Sequence, residues 1–179
     1  MSRLTIKPVT SAADLAAVVA LCWAYREFLF NFAPPERRIV ETFYPQDKYA
    51  RLMARLAEEH ARPRGIILLA LRDGLPVGCG MSHALSATES EIKRLYVTDA
   101  ARGSGAGRAL CQTLIDQARS DGFEKVYLDT SIAFAPARAL YQSLGFIERG
   151  PYQPTPDFAR EAICFYEKSL TDTDAAAGR

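Results

Sequence analysis

Apolar and polar residues exchange places along this chain in changing rhythm, and each rhythm predicts an element. Leu4 and Ile6 alternate with polar neighbours ahead of Pro8, the period of a strand. From Ser11 the period lengthens: Leu15, Val18, Val19, Cys22 and Arg26 keep helical spacing, and Ser11 and Asp14 stand at capping-box distance. Asn31 to Pro35 breaks that pattern. Pro45 opens a second helix with Tyr49, Leu52, Met53 and Leu56 on its apolar side, ending near Arg62-Pro63. Three strands follow as an antiparallel meander: Gly65 to Leu71, Pro76 to Ala84 and Glu89 to Val97, with a turn at Arg72-Asp73-Gly74 and a polar break near Ser86.

The second half changes to an α/β rhythm. A small-residue loop, Thr98 to Gly105, leads into a helix from about Gly105 to Ser120 with Leu110, Leu114 and Ala118 on one face. Lys125 to Asp129 reads as a short buried strand. Pro136 to Leu144 reads as a helix with Gly145 just past its end, and Phe146-Ile147 as a further strand. Arg149 to Arg160 is a proline-punctuated loop, and Glu161 to Lys168 alternates as a last strand. Because a helix joins Glu89–Val97 to Lys125–Asp129, those strands are expected as parallel neighbours through a right-handed crossover. The expected fold is mixed α/β with a partly antiparallel sheet, one domain over residues 1–170, with a frayed tail from Thr171.

Composition narrows the function classes. The chain has 179 residues, 49% of them hydrophobic, which suits one sizeable core. Lysine and arginine number 22 against 21 acidic residues, for a net charge of +1. Such a balance provides no field for gathering nucleic acid or an anionic membrane, so any anionic ligand needs local groups. Cys22, Cys79, Cys111 and Cys164 form no C-x-x-C pair and the histidines are His60 and His83, which argues against a zinc site or other metal and against a disulfide framework. The continuous apolar run Ile66 to Leu71 is far below membrane-spanning length, and the first residues carry no apolar signal segment. A cytoplasmic protein with reduced thiols is the expectation.

The segment with chemistry is Arg102-Gly103-Ser104-Gly105-Ala106-Gly107-Arg108, after a strand and at a helix start. Small side chains let an anion approach the backbone there, and the helix start adds positive potential, so a pyrophosphate suits the loop. Arg108 in a first helical turn opposes the helix dipole by roughly 0.3 to 1 kcal/mol, a sign that a bound anion reverses. No Gly-Lys-Ser/Thr follows for a P-loop, and Arg108 occupies the last glycine position of a dinucleotide fingerprint begun at Gly103. A flexible turn with solvated arginines is the plain alternative.

Arg102-x-x-Gly105-x-Gly107 resembles the R/Q-x-x-G-x-G/A pattern of the GNAT superfamily of acyl-CoA-dependent N-acetyltransferases. Glu91 to Val97 before the loop, Val126 to Thr130 after its helix and Ala139 to Phe146 beyond resemble the family's core in order, over about Gly65 to Phe146. The resemblance implies a mostly antiparallel central sheet with splayed parallel strands in the middle and flanking helices. It also implies acetyl-CoA as co-substrate, its pantetheine along Leu95, Tyr96 and Val97 and its pyrophosphate on the amides of Gly103, Ser104, Gly105, Ala106, Gly107 and Arg108. Phe134 departs from the family, where many relatives have an asparagine that contacts the cofactor arm.

The reaction so implied carries acetyl to a primary amine by direct transfer in a ternary complex. Tyr141 matches the family's tyrosine beside the sulfur, and a phenol of reference pKa about 10 can donate to a thiolate whose conjugate acid is near 8.5. Glu91, on the strand bordering the thioester, is the first candidate for the base, on the expectation that desolvation raises its pKa; Glu89 and His83 are lesser ones. A surface carboxylate paired with Lys93 or Arg94 is its competing reading. The aromatics Trp23, Tyr25, Phe28, Phe32, Phe43, Tyr44 and Tyr49, with the loop Pro151 to Phe158, suit a small-molecule acceptor pocket, core, or a homodimer contact. A protein amine as acceptor and a non-catalytic acyl-CoA sensor are the rival functions.

Overall fold

Ile66 to Leu71 is apolar without interruption because it is buried on both faces, the mark of a central strand. In the computed structural model, which describes residues 3–171, this strand lies within a seven-stranded sheet. The tail expected from Thr171 lies, apart from Thr171, outside the described residues. The elements run β1 (Leu4–Pro8), α1 (Ala12–Phe32), α2 (Pro34–Phe43), α3 (Gln46–Ala54), α4 (Leu56–Glu59), β2 (Gly65–Arg72), β3 (Leu75–Ala84), β4 (Glu89–Val97), a 3-10 turn (Asp99–Ala101), α5 (Ala106–Ser120), β5 (Lys125–Ser131), α6 (Ala135–Ser143), β6 (Ile147–Arg149), α7 (Asp157–Arg160) and β7 (Ile163–Ser169).

The strand order is β1-β2-β3-β4-β5-β7-β6. Only β4 and β5 pair in parallel among these neighbours. The fold is thus the mixed α/β, mostly antiparallel sheet with flanking helices that was expected. Alternate residues of β2 divide the core. Ile66, Leu68 and Ala70 join Leu110, Leu114 and Ile115 of α5 on one face, while Ile67 and Leu69 join Val18, Leu21 and Cys22 of α1 on the other. Burying each such leucine or isoleucine contributes roughly 1.5 to 3 kcal/mol relative to exposure. By length and composition α1 is also apolar enough to cross a bilayer; here its apolar side packs on the sheet.

Three differences from the pattern have local causes. Pro34 and Pro35 stop α1 but occupy the first positions of α2, where a missing N–H removes no helical hydrogen bond. The helix expected from Pro45 to Arg62 breaks at Arg55 into α3 and α4. The short α7 forms inside the segment expected as loop.

At the sheet centre the ladder fails. The pairing of β4 with β5 covers only Glu89 to Glu91 against Lys125 to Tyr127. Beyond Glu91, β4 bends: Cys79 to Met81 of β3 face Lys93 to Tyr96, so β4 carries one extra residue, and Arg94 has φ of 51°. Such a bulge turns a strand and interrupts its pairing. The facing edges of β4 and β5 consequently separate.

Candidate active site

Where β4 and β5 part, a cavity of about 500 Å³ opens. Leu95, Tyr96 and Val97 line it from β4, and Asp129 to Ser131 from β5. Tyr25, Phe28, Phe32, Tyr44 and Tyr49 make the aromatic wall expected of the early helices. Trp23 packs instead on Tyr49, Phe43 stacks on Phe158, and the loop Pro151 to Phe158 stays off the cavity lining. Phe134 lines the cavity too, edge-on to Phe32.

The loop from Arg102 ends one side of this cavity. Gly103 and Gly105 have φ of 78° and 86°, a conformation that side chains with a Cβ rarely adopt, and Gly105 caps α5 without a side-chain partner. The first helical bond runs from Ala109 N–H to Gly105 O. The backbone N–H groups of Gly103, Gly105, Ala106, Gly107 and Arg108 accordingly have no acceptor among the described residues. By contrast α1 has Ser11 to accept from Asp14 N–H. Unpaired donors at a helix start form an anion site.

Arg102, Gly103, Gly105, Ala106 and Gly107 line the cavity; Ser104 and Arg108 do not. The Arg102 guanidinium pairs with Asp99 at 2.7 Å and lies 4.8 Å from the Phe28 ring centroid. Both partners of that pair are well exposed, so little holds Arg102 there. Arg108 donates to Ser143 Oγ at 2.6 Å. Gly105→Val forces a β-branched residue into the left-handed region at a cost of roughly 1 to 2 kcal/mol, and is expected to weaken acetyl-CoA binding about tenfold in a calorimetric titration. Unchanged affinity would remove this loop from the site.

A model of the acetyltransferase (GNAT) family matches residues 25–146, more than half of the chain. The chain belongs to the GNAT acetyltransferase family. It is 38% identical over 95 residues to an IAA acetyltransferase of Azospirillum brasilense, covering 52% of this chain and 62% of that protein. Over 78 residues it is 37% identical to the ribosomal protein bS18 alanine N-acetyltransferase of Escherichia coli, covering 42% and 53%. It spans less than two thirds of the length of either relative. A GNAT acetyltransferase structure from Staphylococcus aureus superposes with TM-score 0.74 at 18% identity, over 94% of this chain and 100% of that one. A Salmonella typhimurium acetyltransferase structure with acetyl-CoA gives 0.66 at 22%, over 98% and 99%. At such identities the two structures show the GNAT fold.

Within this GNAT fold, Tyr141 stands on α6, buried and lining the cavity. Its hydroxyl has no hydrogen-bond partner among the described residues. Burial pushes its pKa well above the usual phenol value. A phenol held protonated this firmly donates a hydrogen bond to a thiolate rather than surrendering its proton outright.

Glu91 differs from expectation. It is 2% exposed and absent from the cavity lining. Burial alone would raise its pKa, but donation from His83 Nε2 at 2.9 Å, the Lys93 ammonium at 2.8 Å and the Tyr152 hydroxyl at 2.6 Å outweigh burial and hold it at about 2. Its pKa is therefore lowered, not raised. Glu89 takes hydrogen bonds from Tyr127 and Ser86. A depressed carboxyl contributes stability that is complete above its unfolded pKa of about 4.5 and lost as pH falls toward 2. That loss is on the order of 3 kcal/mol. Glu91→Gln is expected to be less stable at pH 7 and to lose less stability between pH 4.5 and 2, read by urea unfolding across pH; parallel curves would contradict this.

The carboxyl that the sequence reading did not single out is Asp129. It stands two residues beyond Tyr127, the last β5 residue paired to β4, and lines the cavity. Burial raises its pKa, the Lys93 charge pulls it back, and the nearby Glu91 charge adds to the rise. Tyr152 joins the two carboxyls, lying 3.2 Å from Asp129 Oδ2 as well as 2.6 Å from Glu91. One hydroxyl hydrogen cannot serve both, and the closer Glu91 has first claim. The proline-rich loop thereby shapes the site without lining it.

Proposed function

We propose that this GNAT-family protein transfers acetyl from acetyl-CoA to a primary amine of a small molecule. The observation that carries the reading is the meeting of unpaired loop amides, two open strand edges and two ionisable groups, the half-buried Asp129 and the buried Tyr141, around one cavity. The loop amides and Arg102 suit the diphosphate, and the open edge of β4 at Leu95 to Val97 suits the amides of pantetheine. Acetyl-CoA supplies the activated acetyl group as a thioester. Each residue then has a limited task, and positioning provides much of the rate.

Asp129 takes the proton of the incoming ammonium, directly or through one water, as its raised pKa favours. Glu91 stays ionised and takes the Tyr152 hydrogen, while Gln153 Nε2 donates to Asp129 at 3.2 Å, so the contribution of Glu91 to catalysis is indirect. Tyr141 donates a hydrogen bond to the departing sulfur. The aromatic wall beside these groups supports a compact acceptor more than a protein surface. The test is free-thiol release from acetyl-CoA in the presence of a panel of amines. Acceptor-dependent release is expected; binding of acetyl-CoA with no release across the panel would favour a non-catalytic sensor and contradict the reading.

A further inference from the structure

Glu36, in the first turn of α2, is 3% exposed and lines the cavity. Its Oε1 accepts from the Ser131 hydroxyl, while its Oε2 is buried with no hydrogen-bond partner. A carboxylate oxygen in that state is expensive, because its lost hydration is not replaced. No cation among the described residues pairs with it. Lys93 is held by Glu91, Arg102 by Asp99, Arg26 by the Tyr44 carbonyl, and Arg38 lies over Phe158.

Ser131 and Asp129 are two positions apart on β5, so they point to the same side of the strand, roughly 7 Å apart along it. Both line the cavity. The carboxyl proposed to receive the reacting amine's proton and the carboxyl lacking a donor therefore stand in line along one wall, with the rings of Tyr25, Phe28 and Phe32 also facing the space. Aromatic faces accommodate alkyl chains and cations alike.

We propose that Glu36 anchors a second, cationic nitrogen of the acceptor, so that the preferred substrates are alkyl diamines rather than monoamines. The proposal rests on the amine-transfer reading above. The test compares kcat/KM for 1,5-diaminopentane with that for n-pentylamine in the wild type and in Glu36→Gln. The wild type is expected to favour the diamine by roughly tenfold to a hundredfold, the range of a charge-assisted hydrogen bond, and the variant to lose that ratio. The variant's melting temperature and its rise with acetyl-CoA confirm a folded protein with its coenzyme site intact.

Equal kcat/KM for the two amines in the wild type overturns the proposal and leaves acetyl transfer standing. A ratio that survives in Glu36→Gln, or a variant impaired in acetyl-CoA binding instead, overturns it as well. Transfer to neither amine also overturns it, and the broader acceptor panel then decides whether amine transfer falls too.

Discussion

Asp129→Asn is expected to lower kcat by roughly a hundredfold to ten-thousandfold, the span of one general base. Asparagine keeps the shape and can still accept from Gln153, whose Nε2 lies 3.2 Å from the carboxyl, but it cannot take a proton. The sign of the stability effect separates this loss from unfolding. A carboxyl whose folded pKa is raised is destabilising above that pKa, since folding then buries the charged form. The variant should therefore melt at or above the wild-type temperature at pH 7. Wild-type kcat/KM should fall as pH drops through the raised pKa of Asp129, and that limb should vanish in the variant. Full turnover in Asp129→Asn, or a fall in activity matched by a fall in melting temperature, would contradict the role.

Tyr141→Phe is expected to lower kcat by roughly tenfold to a thousandfold while acetyl-CoA still binds. The hydroxyl has no partner to lose among the described residues, and the ring contacts with Phe146 and Tyr166 survive the change. The effect should fall on release of the thiol and shrink when the leaving thiol is more acidic, because a better leaving group needs less help. The measurement is turnover with acetyl thioesters of graded thiol pKa. A loss that is the same for every leaving group would place Tyr141 elsewhere in the reaction.

The frame of this molecule was legible because its core signals are local. The continuous apolar run at Ile66 to Leu71, the capping pair Ser11 and Asp14, and the glycines before α5 each stated an element or its end. Burial sidedness and the crossover from β4 to β5 followed. The hidden features depend on tertiary neighbours. Pro34 and Pro35 read as a break because a proline that starts a helix and one that ends it look alike when the next apolar positions are sparse. Missing α2 also meant missing Glu36.

Glu91 and Asp129 show the same limit in the site. Both are carboxyls on strands bordering the gap, and sequence spacing alone gives no reason to rank them. Their pKa values part because Glu91 collects His83, Lys93 and Tyr152, while Asp129 shares only part of that set and faces the Glu91 charge. His83 reaches Glu91 across β3 and β4, where the two residues are paired. Tyr152 comes from a loop sixty-one positions away. The αL glycines of the loop could be anticipated, but that the amides of Gly103, Gly105, Ala106, Gly107 and Arg108 lack acceptors among the described residues depends on the folded path of the loop.

The central claim is that these amides hold the diphosphate of acetyl-CoA at the mouth of the β4–β5 gap. Its most direct test is the amide proton shift of Gly103, Gly105, Ala106, Gly107 and Arg108 during an acetyl-CoA titration of isotope-labelled protein. The prediction is that several of these five resonances move downfield together and saturate with the binding curve. Saturation of binding while all five stay in place, with the largest shifts elsewhere in the protein, would contradict it.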